Sequence, residues 1–266
     1  MKIFDKQLLV SDFDGTLLNS QKQITKKNLM AIRYFTDNGG LFCGATGRTP
    51  SNIKAYIKGL PLDCPWILFN GACIYDFRTN SIKNVTFLRR EPLVNILNNI
   101  LETFPNLNIQ IHTTNRLFLA NPNGREDMLM KAENQEYTIS SMEKICLPWV
   151  KVILHEESNV LHKIYNNYME KIKEYNTFFS IDTYMEITHN NVSKGSALSL
   201  LKKELGSKVS KIIAIGDYLN DLEMLEIADI KAAPKNAHPK IKAIADYITQ
   251  DYDNSAIADL IEYLAI

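Results

Sequence analysis

The stretch Leu9-Val10-Ser11-Asp12-Phe13-Asp14-Gly15-Thr16 places two acidic residues directly after an apolar run near the start of the chain. A short apolar run that ends in polar residues is typical of a strand buried on both faces of a parallel sheet. Asp12 and Asp14 alternate along the extended chain, so both side chains project near the strand end. Two carboxylates this close raise each other's proton affinity unless a cation lies between them. The stretch therefore predicts a strand whose carboxyl end carries a charged site.

Two further segments repeat this design. The run Leu41–Ala45 leads into Thr46-Gly47-Arg48, and the run Lys211–Ile215 leads into Gly216-Asp217. A helical pattern follows each of the three apolar runs, and repeated strand–helix units predict an α/β fold with a doubly wound, Rossmann-like parallel sheet. Ligands of such sheets bind at the carboxyl ends of the strands. We therefore expect the three polar clusters to converge, although they are far apart in sequence.

The middle of the chain follows a different pattern. Runs typical of strands cover residues 108–112, 116–120, 150–155 and 178–187, and runs typical of helices cover residues 91–104, 125–133 and 159–175. This mixture predicts an α+β domain inserted into the α/β core. Residues 1–79 and 191–266 are expected to form the core, and residues 80–190 the inserted domain.

The composition excludes several classes of partner. Thirty basic and thirty acidic residues in 266 give a formal net charge of zero, so the chain offers no broad positive field for nucleic acid or an anionic membrane. Apolar runs of the roughly 20 residues that cross a bilayer are absent from the sequence, and the N-terminus lacks the pattern of a signal peptide. We expect a cytoplasmic protein, either a monomer or a small homo-oligomer.

The polar clusters together indicate phosphoryl transfer. Carboxylates from the first and third clusters supply the oxygen ligands that Mg²⁺ prefers. The hydroxyl of Thr46 and the backbone N–H groups near Gly47 suit phosphate oxygens, and Lys194, at a predicted helix start, adds a positive charge. Each cluster alone is common at turns and helix caps. Their combination, with each cluster at a strand end or a helix start, is much harder to explain without function.

These residues resemble the four motifs of the haloacid dehalogenase superfamily. The motifs are DFDGT at residues 12–16, Thr46 in GATGR, Lys194 in VSKG, and GDYLND at residues 216–221. More narrowly, the chain is similar to the Cof-type (subfamily IIB) phosphatases, which carry a large α/β cap between the second and third motifs. The turn Asn70-Gly71-Ala72 is similar to that family's NGA turn. The resemblance covers essentially the whole chain and implies a catalytic core with a cap that determines substrate specificity.

The resemblance also implies a role for each matching residue. Asp12 would be the nucleophile that forms an aspartyl-phosphate, and Asp14 the general acid and then the base. Its neighbour's negative charge and a partly closed site would help to keep Asp14 protonated for the first step. The phosphoryl oxygens would be held by the backbone at Phe13 together with Thr46, Gly47, Lys194 and Asn220. Mg²⁺ would be held by Asp12, the backbone carbonyl of Asp14, and Asp217, while Asp221 would either ligate the metal or orient its water.

The function expected from these roles is Mg²⁺-dependent hydrolysis of small phosphorylated metabolites, most plausibly sugar phosphates. The alternatives are a phosphomutase of the same superfamily and a phosphometabolite-binding regulator without turnover. Within the cap, Asp182, Tyr184 and Glu186 alternate on one predicted strand and are candidates for selecting the substrate. Alternating polar residues also mark the solvent side of a half-exposed sheet, so both interpretations of this strand stay open.

Overall fold

A computed structural model describes residues 2–122, 130 and 135–266. The chain divides into two compact units, the first formed by Met1–Asn84 with Ser193–Ile266 and the second by Val85–Val192. The sequence placed the domain boundaries near residues 80 and 190. The helix predicted over residues 125–133 lies, apart from Met130, outside the described residues.

Strands and helices are numbered in chain order within the described residues. The strands β1 to β14 are Gln7–Asp12, Leu41–Ala45, Trp66–Leu68, Cys73–Asp76, Ser81–Val85, Asn108–His112, Leu117–Asn121, Thr138–Ile139, Lys151–His155, Tyr175–Ile181, Tyr184–His189, Lys211–Ile215, Ile230–Pro234 and Tyr247–Thr249. The helices α1 to α8 are Lys26–Asp37, Pro50–Ile53, Arg90–Thr103, Ser158–Ile172, Lys194–Leu205, Leu222–Ile227, Pro239–Ile244 and Ala256–Leu264.

The first unit contains a mainly parallel sheet with the strand order β14-β13-β12-β1-β2-β3-β4-β5. The strands from β14 to β3 pair in parallel, whereas β4 runs antiparallel to β3. The central strand β1 is fully buried from Leu8 to Val10, as its continuous apolar sequence requires. The α/β fold class predicted from the strand–helix repeats is confirmed.

The helices of the first unit begin where their capping residues indicate. Thr25 and Thr49 cap α1 and α2 by accepting hydrogen bonds from backbone N–H groups, and Pro50 occupies the first turn of α2. Ser193 caps α5 and forms a reciprocal capping box with Ser196. Because this cap fixes the first turn of α5, it also fixes the position of Lys194.

The second unit contains a sheet with the strand order β10-β11-β9-β6-β7-β8. Ile109, Val152 and Met185 belong to a buried apolar cluster to which α3 and α4 also contribute. The prediction of one continuous strand over residues 178–187 is wrong, because the chain forms a hairpin there. β10 ends at Ile181, Asp182 and Thr183 form the turn, and β11 begins at Tyr184. Asp is a common turn former, and the apolar flanks concealed this break.

Candidate active site

The carboxyl ends of three neighbouring strands bring the predicted clusters together. β1 lies between β2 and β12, and the register pairs Asp12 with Ala45 and Ser11 with Ile215. The residues that follow these strands, including Thr46 and Asp217, therefore lie at one edge of the sheet. Parallel pairing thus juxtaposes segments separated by about 200 residues of sequence.

Lys194 lies at the centre of the charged group. Its Nζ donates to Asp12 Oδ1 at 2.5 Å and to Asp221 Oδ1 at 2.6 Å, and the residue is only 1% exposed. Burial opposes the charge of Lys194, but the two carboxylates outweigh it and raise the pKa above its usual value. The lysine is therefore a fixed positive charge beside the Asp12 carboxylate.

Three acidic residues cluster beside this lysine. Among the described residues, Asp12, Asp217 and Asp221 each present an oxygen, and these atoms lie within 4.8 Å of one another. Burial raises the pKa of Asp12 well above its usual value. Lys194 opposes this shift, whereas Asp221 and Asp217 add to it. Such a set of carboxylates suits a hard divalent cation, because the cation would offset their mutual repulsion.

Asp217 and Asp221 are held in different ways. Asp217 Oδ1 accepts from Thr16 Oγ1 at 3.0 Å. Asp221 is more constrained, since Oδ1 accepts from Lys194 and Oδ2 accepts from the backbone N–H groups of Asp217 and Tyr218 at 2.9 and 3.1 Å. Both oxygens of Asp221 are therefore engaged by the protein.

Asp14 points to a different set of partners. Its carboxylate accepts from Arg48 Nε at 2.7 Å, from Arg48 Nη2 at 2.8 Å and from Lys22 Nζ at 3.0 Å. Burial raises the pKa of Asp14, but the hydrogen bonds and charges of Arg48 and Lys22 outweigh it, and the net pKa is lowered. In this conformation Asp14 is therefore not held in the protonated form that the first step requires. To act as an acid, Asp14 must first leave this ion pair.

The sequence does not reveal the contacts of Arg48, although this residue stands in the GATGR motif. Its guanidinium lies 4.7 Å from the ring centroid of Tyr56 and 5.7 Å from that of Phe13, which supports the fork that holds Asp14. An arginine beside an acidic site is itself a sign of such a contact, because a planar guanidinium is well suited to bidentate pairing with a carboxylate. The sequence separation of Arg48 and Asp14 does not indicate that these two residues pair.

The predicted phosphate-binding residues lie at the same edge of the sheet. Thr46 is buried, and its backbone N–H donates to Ile67 O at 2.9 Å. Gly47 follows directly, and the side-chain amide of Asn220 donates to Asn70 Oδ1 at 3.1 Å. The sequence indicates only that Asn70 belongs to a turn. Its position beside these residues was not predicted.

The candidate substrate-selecting residues lie in the second unit. Asp182 is exposed in the turn between β10 and β11. Tyr184 and Glu186 are buried, and Glu186 Oε2 lies 3.0 Å from Lys151 Nζ. The solvent-side interpretation of this strand therefore fails for Tyr184 and Glu186, and Asp182 lies in the turn rather than on a strand.

Comparison with known proteins agrees with the geometry. The sequence profile of the haloacid dehalogenase-like hydrolases matches residues 9–261. A Bacillus subtilis protein named 5-amino-6-(5-phospho-D-ribitylamino)uracil phosphatase is 27% identical over 259 residues, which cover 97% of this chain and 96% of the relative.

Solved structures resemble the whole chain. A haloacid dehalogenase-like hydrolase from Bacteroides thetaiotaomicron has a TM-score of 0.84 at 26% identity, covering 97% of this chain and 99% of the other. A subclass IIB sugar phosphatase has a TM-score of 0.81 at 19% identity, covering 98% of this chain and 100% of the other, a likeness of fold alone. With its acidic cluster and buried lysine at the sheet edge, the chain belongs to the haloacid dehalogenase-like hydrolase family.

Proposed function

We propose that this hydrolase is a Mg²⁺-dependent phosphatase that cleaves phosphomonoesters of small metabolites, with sugar phosphates as the preferred class, through an aspartyl-phosphate on Asp12. The observation that carries the proposal is the contact of Asp12 with Lys194 at the buried end of β1, beside Asp217 and Asp221. The predicted enzyme class, a phosphoric monoester hydrolase, is confirmed by the family match and by the relatives named phosphatases.

The proposed reaction has two steps. For the first step Asp14 must have left its ion pair with Arg48 and Lys22 and have taken up a proton from solvent. An Asp12 carboxylate oxygen attacks phosphorus, the bond from phosphorus to the ester oxygen breaks, and the leaving alkoxide takes the proton from Asp14 to become an alcohol. A water molecule then attacks the same phosphorus and loses a proton to Asp14. The bond from phosphorus to Asp12 breaks, inorganic phosphate leaves, and both carboxyl groups return to their starting states.

Other residues hold the transferring group. We assign the phosphoryl oxygens to the backbone at Phe13 and to Thr46, Gly47, Lys194 and Asn220. Lys194 contacts Asp12 directly, and Thr46 and Gly47 follow the residue of β2 that pairs with Asp12. Fixed donors stabilise developing negative charge more effectively than mobile water does. Lys194 would interact with both the nucleophile and the phosphoryl group. Its positive charge orients the Asp12 carboxylate and also offsets the negative charge of the phosphoryl oxygens.

The carboxylate cluster fits a divalent cation. We propose that Asp12, the backbone carbonyl of Asp14, and Asp217 hold Mg²⁺, and that Asp221 orients this set through its hydrogen bonds. When bound, the cation would supply positive charge to the phosphoryl oxygens. Asp12 would act both as a metal ligand and as the nucleophile. Loss of the cation is therefore expected to disturb the position of the nucleophile as well as phosphate binding.

Removing the cation is expected to stop phosphate release, and Mg²⁺ is expected to restore it. Because Mg²⁺ would bind the folded state alone, it should also raise the thermal midpoint; a concentration 100 times the Kd corresponds to about 2.7 kcal/mol. Asp217→Asn should lose this upward shift while staying folded, since asparagine has the shape of aspartate and its amide oxygen can still accept the hydrogen bond from Thr16. Asp63→Asn, at an exposed position, is the control. Full activity in excess chelator would contradict the metal site.

The leaving group is proposed to be selected by the second unit. Asp182, Tyr184 and Glu186 remain candidates, and the buried pair of Glu186 with Lys151 makes Glu186 the strongest. In β6, His112 pairs with Lys151 across the sheet. Burial, aided by the charge of Lys151, lowers the pKa of His112 well below its usual value and keeps the imidazole neutral. Buried donors and acceptors of this kind suit the hydroxyl groups of a sugar.

Glu186→Gln is expected to change the ratio of kcat/KM between sugar phosphates and p-nitrophenyl phosphate by about tenfold, because a buried polar group discriminates strongly between hydroxylated and apolar leaving groups. Gln is preferred to Ala because it keeps a polar side chain beside Lys151. The matched control is Glu102→Gln on the exposed side of α3. Equal ratios in all three proteins would reject the role.

A phosphate-release screen over many phosphorylated metabolites, with Asp12→Asn as the blank, tests the function as a whole. Free phosphate without an isomerised product supports the phosphatase, whereas product isomerisation would indicate a phosphomutase, and tight binding without release a regulator. All the helices in the described parts of the chain are too short or too polar to cross a membrane. A cytoplasmic location and a monomer or small homo-oligomer stay predictions from the sequence.

A further inference from the structure

The turn Phe69–Gly71, which follows β3, has an unusual backbone. Phe69, Asn70 and Gly71 have φ values of 53°, 54° and 103°, so three consecutive residues lie at positive φ. For a residue with a Cβ this region is sterically unfavourable, and Phe is among the side chains that adopt it least readily. Phe69 and Asn70 are nevertheless buried. Conformations of this kind persist where surrounding contacts hold them, and they concentrate at functional sites.

The contacts of Asn70 identify what holds the turn. Its backbone N–H donates to Thr46 O at 2.9 Å, and its Oδ1 accepts from Asn220 Nδ2 at 3.1 Å. Its Nδ2 packs against Gly47, the residue after Thr46, because a Cβ on Gly47 would come within 2.8 Å of that atom. Asn70 thus joins the loop after β2 to the loop after β12. Both loops carry residues assigned above to the phosphoryl oxygens.

Gly71 extends the same turn towards the lysine. A Cβ at this position would come within 2.0 Å of Ser193 O and 3.0 Å of Lys194 N. The turn backbone is therefore packed directly against the first residues of α5, leaving no room for a side chain. Phe69 closes the other end of the turn, where its N–H donates to Arg48 O at 3.2 Å.

We infer that Asn70 is a positioning residue that sets the separation of Thr46 and Gly47 from Asn220, and so shapes the phosphate-binding half of the site. The inference rests on the proposed function, because it concerns where the phosphoryl oxygens are held. Asn meets both requirements of the position. It tolerates the left-handed conformation better than other residues with a Cβ, and its carboxamide accepts a hydrogen bond from Asn220 while presenting an amide to the Gly47 loop.

Asn70→Gly separates these two requirements. Glycine keeps the left-handed backbone and removes only the carboxamide. We expect the Ki for inorganic phosphate and the KM for substrate to rise by about tenfold or more, since small displacements of positioned groups have large effects. The thermal midpoint should stay near that of the wild type. A purely structural role for the turn would move the midpoint and leave the Ki unchanged.

The chain provides a matched control in Asn80→Gly. Asn80 also has a positive φ, of 48°, but it is exposed in the turn between β4 and β5. This variant is expected to keep the wild-type Ki and KM. A second measurement uses Asn220→Ala. If Asn70 acts largely through Asn220, the effect of Asn70→Gly on the phosphate Ki should be much smaller in that background than in the wild type.

The outcomes separate the inference from the function on which it rests. Phosphate binding, read from inhibition and from the thermal shift produced by inorganic phosphate, is measured for each variant. If the wild type binds phosphate and Asn70→Gly binds it equally well, the inference is wrong and the proposed function stands. If the wild type neither releases nor binds inorganic phosphate, the proposed function fails and the inference fails with it.

Discussion

Asp12→Asn is expected to lower kcat for phosphate release by at least about 10³-fold, because the amide cannot act as the attacking nucleophile. The fold should survive the change. Asparagine has the shape of aspartate, and Lys194 keeps Asp221 as a carboxylate partner at 2.6 Å. The amide oxygen can still accept the hydrogen bond from Lys194. Steady-state phosphate release and thermal unfolding measure the two effects separately.

Asp63→Asn is the matched control for this variant. Asp63 is exposed and belongs to the same unit, so its replacement should change neither rate nor stability. Substantial hydrolysis by Asp12→Asn would remove Asp12 from the role of nucleophile. A large fall in the thermal midpoint would instead show that its charge is needed for folding.

Lys194→Met is expected to affect stability as well as activity. Methionine has a similar length but no charge, so Asp12 and Asp221 would lose the buried cation that lies 2.5 and 2.6 Å from them. Removing one partner of a buried ion pair typically costs about 3–5 kcal/mol, because the remaining charge is left uncompensated. Turnover should fall by at least about 10²-fold, since the fixed charge beside the phosphoryl group is also lost.

Urea unfolding measures the stability change, and Lys202→Met on the exposed side of the same helix is the control. Saturating Mg²⁺ should recover part of the lost stability in Lys194→Met, because a bound cation would offset the carboxylates of Asp12, Asp217 and Asp221. An unfolding free energy within about 1 kcal/mol of the wild type would show that Lys194 is not required to balance these charges.

The strands of the core were predictable because parallel strands are buried on both faces. Two strands have the same bounds in the structure as predicted from the sequence, namely Leu41–Ala45 and Lys211–Ile215. A short, continuous apolar run is typical of a strand that is buried on both faces of a parallel sheet. The hairpin at Asp182 was missed for the converse reason. Its strands lie in an antiparallel sheet, where apolar flanks continue across a short turn and the pattern does not mark the break.

The candidate site divides in the same way. The convergence of Asp12, Thr46 and Asp217 followed from the strand ends, and the resemblance to the family's motifs added Lys194. The partner of Asp14 did not follow from them. Its carboxylate is paired with Arg48 and Lys22, and this choice depends on side-chain conformation and on the path of the loop after β1. The left-handed turn at Asn70 was equally hidden, because local preference does not reveal contacts with distant loops.

The sequence by itself determined the α/β class and the strands that end at the site, because hydrophobic pattern and strand direction specify them locally. The acids, hydroxyl and lysine gathered there were identified by their combination and by the resemblance of their motifs to a known family. Only the tertiary structure decided that Lys194 lies between Asp12 and Asp221, that Asp14 is held by Arg48, and that Asn70 joins the loops after β2 and β12. These pairings depend on distances between segments far apart in the chain. Such distances are set by packing of the whole unit and leave no periodic trace in the sequence.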